Sequence, residues 1–285
     1  NINVNGNKQL RKVDEIMIDF LSNKAREIRK DIIKEVYYAQ SGHPGGSLSI
    51  ADIMAVLYFD ELNIDENNFN KKERNRLVLS KGHCSPALYA ALAEKGIIKK
   101  EELKNFRNIN SKLQGHPNMN DVPGVDMSSG SLGQGLSVAD GMAISAKLDN
   151  LDYRVYCILG DGEIEEGQVW EASMYAAQKG LDNFIVFLDN NGMQIDNYTK
   201  NINGLIDPIK KWESFGFFVQ SINGNSIDEI DCAIINAKKN KGMPSMIILN
   251  TIKGKGVPFI EEAGVNNHSM PISLEQLNKA LEELK

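Results

Sequence analysis

The sequence predicts an α/β fold of three layers, α/β/α, with helices on both faces of a mostly parallel central sheet. Short β-rich segments alternate with helical segments along most of the chain, which is the order expected when crossover helices join parallel strands. Residues 153–159 and 184–188 are also predominantly apolar, as strands are when both of their faces are covered. These two observations define the predicted fold class.

The first part of the chain is predicted to be mainly helical. Residues 10–39 combine a helical apolar pattern with oppositely charged side chains about one turn apart, which supports a long helix. The segment Ser41-Gly42-His43-Pro44-Gly45-Gly46 interrupts this pattern, because glycine and proline break helices. Further helices are predicted at 49–59, 86–95 and 101–106, and a strand at 76–80.

The second part of the chain carries most of the predicted sheet. A loop at 114–131 leads into a helix of small residues at 132–148, and Gly180 is a suitable C-cap for a helix at 166–179. The other predicted elements are strands at 153–159, 184–188, 217–222 and 246–250 and helices at 227–238 and 274–284. Since no linker interrupts this order, one domain over residues 1–285 is predicted, with a polar tail at 1–9.

Composition is that of an ordinary globular protein and argues against several functions. Of 285 residues, 42% are hydrophobic and 25% charged, and the net charge is −6. The chain has no long basic run, so no nucleic-acid partner is expected, and no apolar run of about 20 residues, so no membrane span is expected. The N-terminus is polar without a signal-like apolar run. Three widely spaced cysteines (Cys84, Cys157 and Cys232) predict reduced thiols and a cytoplasmic location.

Polar residues follow two neighbouring predicted strands at the point where each strand ends. Gly160-Asp161-Gly162-Glu163 follows the strand at 153–159, and Asp189-Asn190-Asn191 follows the strand at 184–188. Glycines at a strand end let the backbone turn sharply and let a phosphate approach the amides. Open α/β sheets bind ligands at this edge. A carboxylate, an amide oxygen and a nearby carbonyl suit Mg²⁺ or Ca²⁺, so the pattern predicts a diphosphate held through a divalent metal.

All four histidines lie in predicted loops, three of them directly after a glycine. Imidazole exchanges protons near neutral pH and donates hydrogen bonds to phosphate or sugar oxygens. The loops lack the short-range pairing of ligands that zinc sites have, which disfavours a zinc site. The four candidates for proton transfer are therefore His43, His83, His116 and His268.

At these residues the chain resembles the N-terminal part of transketolase, from about residue 24 to 284. The Gly-Asp-Gly to Asn-Asn segment is similar to thiamine diphosphate enzymes in general. Four further segments resemble transketolase more narrowly: Ser41-Gly42-His43-Pro44-Gly45, Leu79-Ser80-Lys81-Gly82-His83, Gln114-Gly115-His116-Pro117 and Gly130-Ser131-Leu132-Gly133-Gln134-Gly135. The resemblance implies the thiamine diphosphate-binding fold called the PP domain.

The resemblance also implies roles for individual residues. Asp161, Asn191 and the carbonyl of Met193 would hold Mg²⁺ (or Ca²⁺ or Mn²⁺), and the backbone of Gly162 would contact the diphosphate. The remaining implied cofactor contacts are His83 and His268 near the diphosphate and the reacting carbon, Gly130 and Leu132 on the aminopyrimidine, and Ile195 on the thiazolium. His43, His116 and His268 would handle the donor's C1 hydroxyl and the proton transfers.

Three positions qualify this picture. Glu166 matches an acid that lies at the subunit contact in transketolases, but an acid at a helix N-terminus is also favoured by the helix dipole. The loop 264–267 and Ser269-Met270-Pro271 depart from the family pattern, so His268 is the least secure assignment. Two interpretations remain for the segment Lys253-Gly254-Lys255-Gly256. It is either a loop at the site, as in the family, or a solvated basic turn.

In a full transketolase, a segment that resembles this chain is followed by a pyrimidine-binding domain and a third domain. The glutamate that polarises the aminopyrimidine belongs to the part that is absent here. The sequence is therefore interpreted as the N-terminal subunit of a split transketolase, which pairs with a C-terminal subunit, as a dimer of heterodimers by resemblance, and transfers a two-carbon ketol unit between sugar phosphates.

Two other functions remain open. One is another thiamine diphosphate activity, such as a carboligation like that of deoxyxylulose-phosphate synthase. The second is a non-catalytic subunit that binds Mg-diphosphate compounds. A nucleotide P-loop is excluded, because no Gly-x-x-x-x-Gly-Lys-Ser/Thr occurs.

Overall fold

The computed structural model describes residues 15–195 and 197–285. The predicted polar tail at 1–9 and the first five residues of the predicted helix at 10–39 lie outside these ranges. Within them, no helix is both long and apolar enough to cross a bilayer. The assignment of the whole chain to one domain stays a prediction.

A five-stranded, fully parallel sheet forms the centre of the molecule, and a two-stranded hairpin lies apart from it. The predicted fold class is confirmed. The large sheet has the order β1-β2-β3-β7-β6, and the hairpin joins β4 to β5. The strands are β1 (Arg76–Leu79), β2 (Val155–Gly160), β3 (Phe184–Asn190), β4 (Met193–Gln194), β5 (Asn197–Tyr198), β6 (Phe218–Asn223) and β7 (Ser245–Asn250).

Helices cover both faces of this sheet. The α-helices of the described residues are α1 (Glu15–Ala39), α2 (Pro44–Ser49), α3 (Ala51–Val56), α4 (Ser85–Glu94), α5 (Gln134–Leu148), α6 (Gly167–Gln178), α7 (Thr199–Ile202), α8 (Pro208–Ser214), α9 (Ile227–Lys239), α10 (Pro258–Glu262) and α11 (Leu274–Glu283). Residues of α1, α3, α4 and α9 share one apolar core with Tyr156 and Ile158 of β2. Residues of α5, α6 and α8 share the other core with Cys157 and Leu159. Successive side chains of β2 thus enter opposite cores, as the pleat of a strand requires.

The strand register brings the ends of β2, β3 and β7 to one edge of the sheet. Gly160 of β2 is paired with Asp189 of β3, and Asn190 of β3 is paired with Asn250 of β7. The segments that follow these strands therefore leave the sheet side by side. This register places the polar strand ends together.

Several local predictions were wrong. The helix predicted at 49–59 is divided into α2, α3 and a π-helical segment at Leu57–Glu61. The predicted break extended over Pro44-Gly45-Gly46, but these residues open α2, because proline is well tolerated in the first helical turn. The helix predicted from 132 begins at Gln134, after Gly133 in the left-handed conformation (φ 83°). The hairpin, α7, α8 and α10 were not predicted. Asp207 caps α8 by accepting a hydrogen bond from the Lys210 amide. An aspartate followed by proline is typical of a helix start, so this pattern could have predicted α8.

Helix α1 carries a carboxyl group deep in the core. Glu35 is completely buried, and neither of its carboxyl oxygens has a hydrogen-bond partner in the described part of the chain. Burial, and then the negative charge of Asp31, raise the pKa of Glu35 well above its usual value of 4.5. The folded protein therefore favours the neutral acid at this position.

We expect Glu35→Gln to flatten the pH dependence of stability. Above the unfolded-state pKa, the folded state holds a proton that the unfolded chain has released. The free energy of unfolding then falls as pH rises, by about 1.4 kcal/mol per pH unit, until the folded-state pKa is reached. Urea unfolding between about pH 5 and about pH 8 should show a smaller slope in the variant. Glu282→Gln on the exposed face of α11 is the control, and equal slopes for Glu35→Gln and the wild type would contradict this account.

Candidate active site

A cavity of about 560 Å³ opens at the carboxyl edge of the sheet. Its walls come from the segments after β1, β2, β3 and β7 and from the loop before α5. The predicted site residues that line it are His83, His116, Gly130, Leu132, Asp161, Gly162, Glu166, Asn191, Met193, Ile195 and His268. His43 is the one predicted site residue outside the lining, and it lies directly behind it.

Asp161 stands at the end of β2 with backbone amides on both of its oxygens. Gly162 donates to Oδ1 at 3.0 Å and Gly192 donates to Oδ2 at 2.5 Å. Burial, and then the charge of Asp189, raise the pKa of Asp161 to about 7. A negative charge at Asp161 is therefore costly without a nearby cation.

Asn191 and Met193 lie beside Asp161 on the turn that follows β3. The Met193 amide donates to the Asn191 Oδ1 at 3.1 Å, which holds the side chain in place. Asp161, Asn191 and Met193 line one cavity and offer a carboxylate, an amide oxygen and a backbone carbonyl. The donor set and the unneutralised carboxylate fit a hard divalent cation.

A buried ion pair lies beneath these oxygens, and the sequence analysis did not identify it. The Lys81 Nζ donates to Asp189 Oδ2 and to the Gly46 carbonyl at 3.0 Å. Lys81 is 1% exposed and Asp189 is 0% exposed. Ser49 donates to Asp189 at 2.6 Å. A charged residue at the end of an apolar strand needs a partner, but the local sequence does not show which residue the partner is.

Three histidines from distant segments form a cluster at one end of the cavity. The ring centroids are 5.2 Å apart for His43 and His83, 5.1 Å for His43 and His268 and 5.4 Å for His83 and His268. His116 faces the cavity on the opposite loop, where a Cβ on Gly130 would lie 2.9 Å from its ring. The structure therefore brings the four predicted histidines to one site.

The histidine cluster is neutral at physiological pH. Burial, and then His83, lower the pKa of His43 to about 4. Burial, and then Lys81, lower the pKa of His83 to about 4. Burial, and then Lys253, lower the pKa of His268 to about 3. Neutral imidazoles can accept a proton from a substrate hydroxyl, which imidazolium cannot do.

The loop after β7 belongs to the site, so the solvated-turn interpretation is wrong for Lys253. Lys253 is 4% exposed, lines the cavity and places its Nζ 3.3 Å from His268 Nδ1. Asn267 supports this loop by donating to the carbonyls of Lys253 at 3.0 Å and Ile260 at 2.9 Å. His268 therefore reaches the cluster although the residues around it depart from the family pattern.

Two acids on the 3₁₀ turn after β2 complete the wall, and they too were not identified from the sequence. Glu163 is buried and accepts hydrogen bonds from the Gly133 amide at 2.9 Å and the Gly160 amide at 3.0 Å. Glu165 and Gln194 each carry a buried oxygen with no hydrogen-bond partner in the described residues. Glu166 is exposed at the N-cap of α6, as a helix N-terminal acid would be. Its place at a subunit contact stays a prediction.

Comparisons with known proteins agree with this fold and site. The family model described as "Transketolase, thiamine diphosphate binding domain" matches residues 21–284. The chain therefore belongs to the transketolase family and comprises its thiamine diphosphate-binding domain.

The relatives fall into two groups, proteins of about the length of this chain and longer transketolases. The 6-deoxy-6-sulfo-D-fructose transketolase subunit SqwG of Clostridium sp. (strain MSTE9) is 48% identical over 96% of this chain and 98% of its own length. An apulose-4-phosphate transketolase subunit of Actinobacillus succinogenes is 41% identical over 94% of this chain and 96% of its own. The crystal structure of transketolase from Campylobacter jejuni superposes on this chain with a TM-score of 0.87 at 36% identity. The superposed region covers 94% of this chain but only 43% of the Campylobacter protein.

Proposed function

We propose that this chain is the N-terminal subunit of a two-subunit transketolase. It binds the diphosphate of thiamine diphosphate through Mg²⁺, with Ca²⁺ or Mn²⁺ as the other candidate ions. With a C-terminal subunit it transfers a two-carbon ketol unit from a ketose phosphate to an aldose phosphate. The observation that carries the proposal is the convergence of Asp161, Asn191, Lys253 and three histidines on the lining of a single cavity, with His43 packed against two of those histidines.

Each part of the cavity has a distinct task in this proposal. Asp161, Asn191 and the Met193 carbonyl hold the metal, while Gly162 allows the diphosphate to approach the backbone. A Cβ at Gly162 would lie 2.6 Å from the Gln194 Cβ, so the turn has no room for a side chain. When bound, the cofactor supplies an electron sink for carbon–carbon bond chemistry.

The histidines serve the substrate side of the cavity, and Lys253 lies beside one of them. Neutral His43, His116 and His268 accept and return protons at the donor's C1 hydroxyl. Lys253 contributes positive charge near His268, which suits the charged tail of the cofactor. These groups lie on separate loops at the carboxyl edge of the sheet. The sheet therefore sets their positions relative to one another.

A partner subunit is part of the proposal. Leu132 and Ile195 line the cavity yet are 38% and 64% exposed. These two apolar side chains are therefore open to a second molecule at the rim of the cavity. Two relatives that this chain matches over nearly their full length are named as subunits. We therefore propose a dimer of heterodimers with a pyrimidine-binding C-terminal subunit.

The names of the relatives suggest a class of donor sugars for this chain and not a single sugar. Their names give 6-deoxy-6-sulfo-D-fructose and apulose 4-phosphate as substrates of those proteins. Both are ketoses with an anionic group at a terminal carbon. We propose a donor of this class, which includes the sugar phosphates of ordinary transketolases.

The proposal is tested by calorimetry and by transfer assays. The chain should bind Mg²⁺–thiamine diphosphate in preference to Mg²⁺–ADP, and transfer should require a C-terminal subunit. Full transfer by the purified chain alone would overturn the two-subunit arrangement. A preference for ADP would support a non-catalytic diphosphate-binding subunit. Use of pyruvate in place of ketose donors would indicate a carboligase like deoxyxylulose-phosphate synthase.

A further inference from the structure

A guanidinium group lies between two of the histidine loops without lining the cavity itself. Nη1 of Arg107 donates to the Ser41 Oγ at 2.8 Å, two residues before His43. On its other side it packs against Gly115, where a Cβ would lie 2.5 Å from Nη2. Gly115 directly precedes His116. One side chain therefore contacts both loops next to their histidines.

The backbone of Arg107 is held in an unusual conformation that directs the side chain to this place. Its φ is +61°, in the left-handed region that non-glycine residues rarely occupy. The Arg107 amide donates to the Leu113 carbonyl at 2.8 Å and closes the turn between residues 107 and 113. Strain of this kind persists only where the surrounding structure maintains it.

The charge of Arg107 has no acidic partner in the described part of the chain. None of the carboxylates there lies within ion-pair distance, and its buried Nε has no hydrogen-bond partner among the same residues. An unneutralised guanidinium disfavours protonation of nearby imidazoles. The proximity of Arg107 therefore lowers the pKa of His43 and His116, after the larger effects of burial and of His83.

We propose that Arg107 is a positioning residue, which fixes the His43 loop against the His116 loop. The inference rests on the proposed function, since it assigns Arg107 to the proton transfers of that reaction. Lysine cannot replace it fully, because only a planar guanidinium can donate to Ser41 while its face lies on Gly115.

Other charges face the same two imidazoles. His43 is surrounded by His83, Arg107, His116 and Lys253 and by the ring of His268. His116 faces His83 and Arg107. Arg107 is among the largest charge effects on both His43 and His116, whereas other groups have the largest effects on His83 and His268.

The test is a histidine titration of the cofactor-free chain by ¹H–¹³C NMR, with each ring signal assigned by a single His→Gln variant. Arg107→Gln removes the charge and shortens the side chain, and Arg107→Lys keeps the charge. In Arg107→Gln the pKa of both His43 and His116 should rise by about 0.5–1 unit, with smaller changes at His83 and His268. Arg107→Lys should keep both values near those of the wild type. Arg26→Met, far from the cluster on α1, is the matched control.

A kinetic measurement on the complete two-subunit enzyme separates positioning from charge. Both Arg107 variants should lower kcat by about 10-fold or more while leaving thiamine diphosphate affinity unchanged, because the histidine loops lose their shared anchor. Unchanged pKa values for His43 and His116 in Arg107→Gln, or unchanged kcat in both variants, would overturn the inference. If the wild-type complex shows no transfer, the proposed function fails, while the titration still decides whether Arg107 controls the two histidines.

Discussion

Replacing Asp161 with asparagine should weaken Mg²⁺-dependent binding of thiamine diphosphate by about 100-fold or more. Loss of a residue that merely supports a metal ligand already costs about 10–100-fold, and Asp161 is proposed to be a ligand itself. It also supplies the one carboxylate among the three proposed metal ligands. Isothermal calorimetry with Mg²⁺ in excess measures the effect directly.

The control for Asp161→Asn is Asp182→Asn. Asp182 pairs with Lys147 on the surface, remote from the cavity lining, so its loss should leave cofactor affinity unchanged. The melting temperature without cofactor shows whether each variant is folded. A folded Asp161→Asn protein that binds Mg²⁺–thiamine diphosphate as tightly as the wild type would contradict the assignment of the metal site.

Lys81→Met should destabilise the protein by about 3–5 kcal/mol. The substitution keeps the apolar stem but leaves the fully buried Asp189 carboxylate without its cation, and breaking a buried pair on one side costs about this much. Ser49 and Asn191 would still donate to Asp189, but neutral donors do not replace a positive charge. Urea unfolding at neutral pH measures the loss of unfolding free energy.

A second substitution tests the cause of that loss. In Lys81→Met/Asp189→Asn neither position of the ion pair carries a charge, so no carboxylate is left without its cation and the double variant should be more stable than Lys81→Met alone. The surface pair Lys147–Asp182 provides the matched control, because Lys147 is 42% exposed and Lys147→Met should cost less than about 1 kcal/mol. If Lys81→Met lowers the unfolding free energy by less than about 1 kcal/mol, the Asp189 carboxylate does not need the charge of Lys81 to remain buried.

The meeting of Asp161 and Asn191 at one edge of the sheet could be predicted from the sequence because the information for it is local. Asp161 and Asn191 follow the predicted strands at 153–159 and 184–188 within three positions, and parallel strands deliver their ends to the same edge. Both residues line the cavity in the structure. Their role as metal ligands stays a prediction.

Other features of the site could not be predicted, because they depend on contacts between distant segments. The burial of Lys253 requires the loop after β7 to lie against α2, where the Gly254 amide donates to the Gly45 carbonyl at 3.0 Å. The partner of Lys81 is Asp189, on a strand more than 100 positions away. Local pattern carries no signal for such pairings.

The sequence by itself determined the five strands of the main sheet, most of the helices between them and the chemistry available at each strand end, since hydrophobic periodicity and turn residues act over a few positions. Only the tertiary structure decided which of those groups meet. Burial in the folded site leaves the histidines neutral, compels Lys81 to pair with Asp189 and places Arg107 between two loops. These outcomes arise from desolvation and charge proximity, which exist only after the chain has packed.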